Sequence, residues 1–127
     1  MALLLRLARL PAAGWLIAFV LARAAFLLPV ERLYETETLL AFYHPQPAYP
    51  LHILLVPRRR VPDFTALDSA GAGFLQDLIA AVRYLVQTLD LELHGYRLIA
   101  NGGAYQEVAQ LHFHLVSDFV WSQEQAT

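Results

Sequence analysis

Two histidines two positions apart, His112 and His114, lie in the stretch Gln110-Leu111-His112-Phe113-His114-Leu115-Val116. Polar and apolar residues alternate there, the period of a β-strand with one face in a core. Leu111, Phe113 and Leu115 then point inward, and Gln110, His112 and His114 stand in a row on the other face. Two imidazoles on one strand face can act together on one ligand, as nucleophile and hydrogen-bond donor at a phosphoryl group or as ligands of a metal. Neutral imidazole is a good nucleophile at pH 7, and its phosphoryl adduct is labile enough for water to clear. The same pattern on its own also fits an ordinary sheet edge that happens to carry two histidines.

The rest of the chain has to position that row. Leu33 and Tyr34 read as a short strand and residues 39–43 as a second, around a turn at Glu35-Thr36-Glu37-Thr38. Residues 44–50 hold three prolines and must run as an extended loop. Residues 52–56 form an apolar run closed by Pro57, as expected of a central strand. Asp63 or Thr65 is suited to capping a short helical turn. From about Ala72 to Leu89, the apolar residues Phe74, Leu75, Leu78, Ile79, Val82, Leu85, Val86 and Leu89 recur at helical spacing, and this stripe is expected to face the core. Residues 96–100 read as a strand, and Asn101-Gly102-Gly103 as a turn before the histidine row. The fold class is therefore α+β, an antiparallel sheet of about five strands with a packed helix.

Composition narrows the chemistry. The 127 residues contain no cysteine and no lysine, all nine basic residues being arginine. Thiolate catalysis, disulfides and Schiff bases are excluded. A net charge of −2 gives no general attraction to nucleic acid. The chain is 57% hydrophobic and only 16% charged, and residues 1–30 supply the excess. Residues 10–30 are 21 residues with a single charge, Arg23, long enough to span a bilayer as a helix. The expected organisation is an N-terminal transmembrane helix within residues 1–30 and a globular domain over residues 31–127. Membrane lipid is then a partner, with the side of the membrane undetermined.

The histidine row and its surroundings resemble the histidine triad (HIT) family, whose signature is His-x-His-x-His followed by two apolar residues. Its last five positions stand here as His112-Phe113-His114-Leu115-Val116, and Gln110 replaces the first histidine. Leu39-Leu40-Ala41-Phe42-Tyr43 is similar to the family's early strand, and Pro50-Leu51-His52-Ile53-Leu54-Leu55-Val56-Pro57-Arg58-Arg59 to its segment of histidine, apolar run, proline and basic residues. Gly95-Tyr96-Arg97-Leu98-Ile99-Ala100-Asn101-Gly102-Gly103 is similar to the strand that ends in asparagine, and Gln106 and Val108 also match. The resemblance covers roughly residues 33–117 and implies the same α+β meander.

It also implies a chemistry. The middle histidine, here His112, attacks the α-phosphorus of a nucleotide and forms a nucleotidyl-imidazole intermediate. His114 and His52 support it as the other catalytic residues, and Asn101, Gln106, Gln110 and His44 fall at substrate contacts. No cofactor is implied. Four positions depart from the family pattern. Gln110 cannot accept and return a proton, although its amide can donate to a phosphate oxygen. His44 stands where an acidic residue usually holds the ribose hydroxyls. Tyr105 replaces a glycine, and its ring could fill the phosphate pocket. Glu107 brings a carboxylate close to a phosphate site. The leading expectation is a membrane-anchored nucleotide hydrolase or nucleotidyl transferase. The alternative is a catalytically degenerate accessory subunit of a larger membrane complex, with other membrane-protein subunits as partners. A third reading is zinc held by His52, His112 and His114; no metal is assigned, because Glu107 is the one carboxylate evident to orient those imidazoles.

Overall fold

The computed structural model describes residues 31–68 and 71–120. Five strands form one sheet: β1 (Arg32–Glu35), β2 (Leu39–Tyr43), β3 (Leu51–Pro57), β4 (Arg97–Ala100) and β5 (Phe113–Ser117). Their spatial order is β1-β2-β3-β5-β4 and every pairing is antiparallel. β5 thus enters between β3 and β4, so the histidine row ends up in the interior of the sheet. The helix α1 (Ala72–Thr88) and the single turn α2 (Leu91–His94) lie between β3 and β4 in the chain.

β3 is buried along its whole length. An uninterrupted run such as Ile53-Leu54-Leu55-Val56 is what a strand shielded on both faces requires. On one face, Leu39, Ala41, Ile53, Leu55, Phe113 and Leu115 pack with Phe74, Leu78, Ala81, Leu85 and Val86 of α1. The Phe74 and Phe113 rings meet at 6.2 Å. The other face carries Leu40, Phe42, Leu54, Val56 and Val116, all shielded from solvent, together with His52 and His114.

The expected helical stripe needs one correction. Ile79 is 62% exposed and Leu75 is exposed as well. The buried positions 74, 78, 81 and 85 advance by four, three and four residues, and Leu75 and Ile79 each lie one residue, about 100°, round the helix from them. Ala81 takes the inner position instead. Asp63 caps the short turn Phe64–Ala66 as expected, its carboxylate accepting from the Ala66 N–H at 3.0 Å. At the other end of the sheet, Thr36 and Thr38 both donate to the Asp77 carboxylate, at 2.7 and 2.6 Å. These bonds draw that carboxyl below its usual range and tie α1 to the β1–β2 turn.

The apolar run of residues 10–30 lies outside the described residues. Among the described residues no helix is long and apolar enough to cross a membrane.

Candidate active site

The sheet register brings the histidines together. His52 pairs with Val116 and Leu54 with His114, so His52 and His114 are diagonal neighbours on one face. His52 Nε2 and His114 Nδ1 are 2.8 Å apart. β5 starts only at Phe113, so His112 sits just before the strand, its Nδ1 2.8 Å from the Gln110 carbonyl. The histidine face is not open to solvent as the polar side of an alternating strand would be: His52 and His112 are buried and His114 is half-buried. The second face of the sheet is shielded, so these rings stand in a low-dielectric surrounding.

Their partners fix the tautomers. The Ala48 backbone N–H donates to His52 Nδ1 at 3.1 Å, so that nitrogen is bare and the His52 proton sits on Nε2. His52 Nε2–H then donates to His114 Nδ1, which places the His114 proton on Nε2. That Nε2 is buried and, among the described residues, has no hydrogen-bond partner. A carbonyl can only accept, so His112 carries its proton on Nδ1 and keeps a free lone pair on Nε2. The site therefore presents one nucleophilic nitrogen and, beside it, one unsatisfied N–H donor. A buried donor without a partner costs free energy of about 1–3 kcal/mol, recovered when an acceptor arrives.

Burial also keeps the imidazoles neutral. His114 is lowered from 6.5 to about 3, by burial first and then by the neighbouring rings of His112, His52 and His44. His52 is lowered to about 4 by burial, with His44 and His112 adding to it. His112 is lowered by burial, against which its bond to the Gln110 carbonyl and the charge of Glu107 act in the opposite direction. Neutral His112 is the form that can attack phosphorus.

The remaining expected contacts divide. His44 follows β2 and lies against the cluster, its ring centroid 4.3 Å from His52 and 6.4 Å from His114. Asn101 is half-buried just beyond β4. The two glutamines are occupied with backbone. Gln110 Oε1 accepts from the Val61 N–H at 3.1 Å, and its Nε2 donates to the Arg59 carbonyl at 3.0 Å. Gln106 Nε2 donates to the carbonyls of Pro62 and Val108, at 2.7 and 2.9 Å. Both clip the approach to β5 onto the segment that leaves β3. Tyr105 does not fill a pocket, being 81% exposed on the turn Gly103–Tyr105. The zinc reading also loses its footing, because His52 and His114 spend their facing nitrogens on each other. Among the described residues no set of three His, Asp or Glu side chains is arranged to hold a metal ion.

Sequence reasoning missed the Ala48 N–H, which sets the tautomer of the whole pair, and Tyr49, whose ring meets His52 edge-on at 5.4 Å. The proline-rich composition of that loop was the available signal, since it implied a stiff segment close to His52.

Comparison with known proteins agrees with this geometry. The family model of the HIT domain matches residues 27–120. An HIT-like protein of Helicobacter pylori is 33% identical over 92 residues, covering 71% of this chain and 86% of that protein. An HIT-like protein of Chlamydia pneumoniae is 34% identical over 95 residues, covering 71% and 83%. Among solved structures, an HIT family hydrolase from Clostridium thermocellum superimposes with a TM-score of 0.68 at 31% identity, over 80% of this chain and 88% of that one. A histidine triad nucleotide-binding protein from Candida albicans gives a TM-score of 0.65 at 25% identity, over 79% and 71%. With the sheet order, the histidine row and these likenesses in agreement, the chain belongs to the HIT domain family.

Proposed function

We propose that this protein hydrolyses a phosphoramidate, phosphoanhydride or similar ester at a nucleotide α-phosphate, with His112 as nucleophile. The observation that carries the reading is the fixed tautomer of His112: Nδ1–H is held by the Gln110 carbonyl, and Nε2 is left with a free lone pair. Attack forms an Nε2–P bond and breaks the P–N or P–O bond to the leaving group, which takes a proton from solvent. Water then cleaves the Nε2–P bond, releasing the monophosphate and a proton and restoring neutral His112. The His114 Nε2–H meets a phosphoryl oxygen throughout, and the rigid His52–His114 pair spares the site any reorganisation as charge builds. The names of the C. thermocellum hydrolase and the C. albicans nucleotide-binding protein support this reaction class. Purified protein should release a nucleoside monophosphate from a phosphoramidate or dinucleotide, and His112→Ala should not.

One observation favours a second reading, a catalytically silent accessory subunit: the amides of Gln106 and Gln110, expected at phosphate, are both spent on backbone. No turnover across a nucleotide panel, with no rise in Tm on adding nucleotide, would favour it. Attachment to a membrane rests on the hydropathy of residues 10–30. Fractionation of the full chain beside one beginning at Glu31 tests it: the full chain should need detergent for extraction, and a soluble full-length monomer would contradict attachment.

A further inference from the structure

We infer that the end of the sheet at which β1 begins rests on a bilayer surface through Leu93, Tyr96 and Val120, so that the domain meets the membrane at a second point besides its anchor. The inference rests on the reading that residues 10–30 attach the chain to a membrane, and it adds which surface of the domain touches lipid. Arg32 pairs with Phe42, one residue before β2 ends, and β1 runs from there toward its turn with β2 at the other end of the sheet. The chain therefore arrives at the end where β2 stops at Tyr43, β4 starts at Arg97 and β5 stops at Ser117. In sequence only Glu31 separates Arg32 from the apolar run. One residue reaches about 3.5 Å, whereas β3, seven residues long, puts the far end of the sheet about 20 Å away. While β1 stays in the sheet, the tether holds the near end at the interface and keeps the far end off it.

The near end carries apolar groups that the domain itself does not cover. Leu93 is 74% exposed and Val120 71%, and Tyr96 is exposed as well. Leu93 lies on α2, Tyr96 just before β4 and Val120 three residues past β5. Two contacts between their neighbours bring them to one place: Ser117 Oγ donates to the Gly95 carbonyl at 2.8 Å, and the His94 and Phe119 rings stack at 3.6 Å. From β1 to β4 there are four strand spacings, about 19 Å, so this patch lies well away from the anchor, with the exposed Tyr43 between. Tyrosine suits the headgroup level, its ring in apolar contact and its hydroxyl wet. The ends also differ in charge. At the near end Arg97 pairs with Asp118 at 3.0 Å, and Asp90 and Glu92 are exposed beside the patch. The three arginines 58–60 follow β3 at the far end. Contact at the near end is therefore apolar and needs no anionic lipid. Phe64 and Tyr105 are exposed too, but they belong to the far end, beyond the reach of the tether.

The chain has no cysteine of its own, so a single fluorophore can be placed by Leu93→Cys, Tyr96→Cys or Val120→Cys, with Phe64→Cys and Tyr105→Cys as far-end references. Each full-length protein is reconstituted into phosphatidylcholine vesicles, and its emission is quenched by a nitroxide-bearing lipid or by aqueous iodide. Labels at 93, 96 and 120 should be quenched by the lipid nitroxide about threefold more than labels at 64 and 105, with the order reversed for iodide. Adding phosphatidylserine should leave these ratios as they are. With Leu93→Asp and Val120→Asp together, the label at 96 should fall to the level of the label at 105, while the protein stays on the vesicles. If the anchored protein shows equal lipid quenching at both ends, or stronger quenching at 64 and 105, the inference fails and attachment by residues 10–30 stands. Labels at 93, 96 and 120 shielded from both quenchers would mean that another protein covers the patch, which also overturns it. A full chain that stays in solution without vesicles or detergent would overturn attachment and the inference together.

Discussion

The two faces of the sheet are made from the same strands and do different work. Along β5, Phe113 and Leu115 turn toward α1, whereas His114 turns toward His52. On the helix side, contact is apolar and non-directional, and similar volumes are interchangeable within limits. On the histidine side the partner of one ring nitrogen decides which nitrogen carries the proton, so exchanging a partner changes the chemistry. The stability of this protein should therefore be read mostly on the first face and its chemistry on the second.

Substitutions can break that division. The largest effect is expected for His112→Ala, which removes the nucleophile: turnover should fall by roughly 10⁴-fold or more, with an unchanged circular dichroism spectrum. Phe113→Ala, one residue away, should do the reverse. It should cost about 3–5 kcal/mol of stability in a urea titration, while the protein that stays folded still turns over. If Phe113→Ala removes activity and leaves the urea midpoint alone, the two faces do not divide as described. Gln110→Ala should be milder, at about 1–3 kcal/mol, from leaving the Val61 N–H and the Arg59 carbonyl without their partner.

The histidine face should also show in a pH dependence. In the unfolded chain His52 and His114 regain the ordinary value near 6.5, against about 4 and about 3 when folded. Between those values the unfolded chain binds more protons than the folded one. The stability these residues contribute is in place above pH 6.5 and drains away as the pH falls toward 4. Urea midpoints should drop between pH 7.5 and 4.5, and drop less in a protein with both His52→Gln and His114→Gln. Equal drops in the two proteins would show that these imidazoles do not stay neutral in the folded state.

The apolar face was largely legible in the sequence. Strand β2, strand β3 and the long helix follow from apolar runs closed by proline and from helical spacing, because burial writes itself into composition. The inward row of Leu111, Phe113 and Leu115 followed from alternation alone. The turn α2 went unread because four residues are too few for a periodic pattern. The histidine face was legible in its residues and not in its bonds. Gln106 and Gln110 read as phosphate donors, yet their amides are spent on backbone groups 44 to 51 positions away in sequence. The tautomer of His114 depends on a backbone N–H at Ala48, acting through His52. Side-chain type indicates which chemistry is available, and only the fold shows which nitrogen is free to do it.

The central claim is that His112 Nε2 is that nitrogen. Rapid acid-free quenching of the protein with a nucleotide phosphoramidate, followed by peptide mass spectrometry, tests it most directly. A nucleotidyl group on the peptide carrying His112, absent in His112→Ala and carried on the outer ring nitrogen, is the predicted result. Turnover that persists in His112→Ala, or an adduct that maps to His114, His52 or His44, would contradict the account.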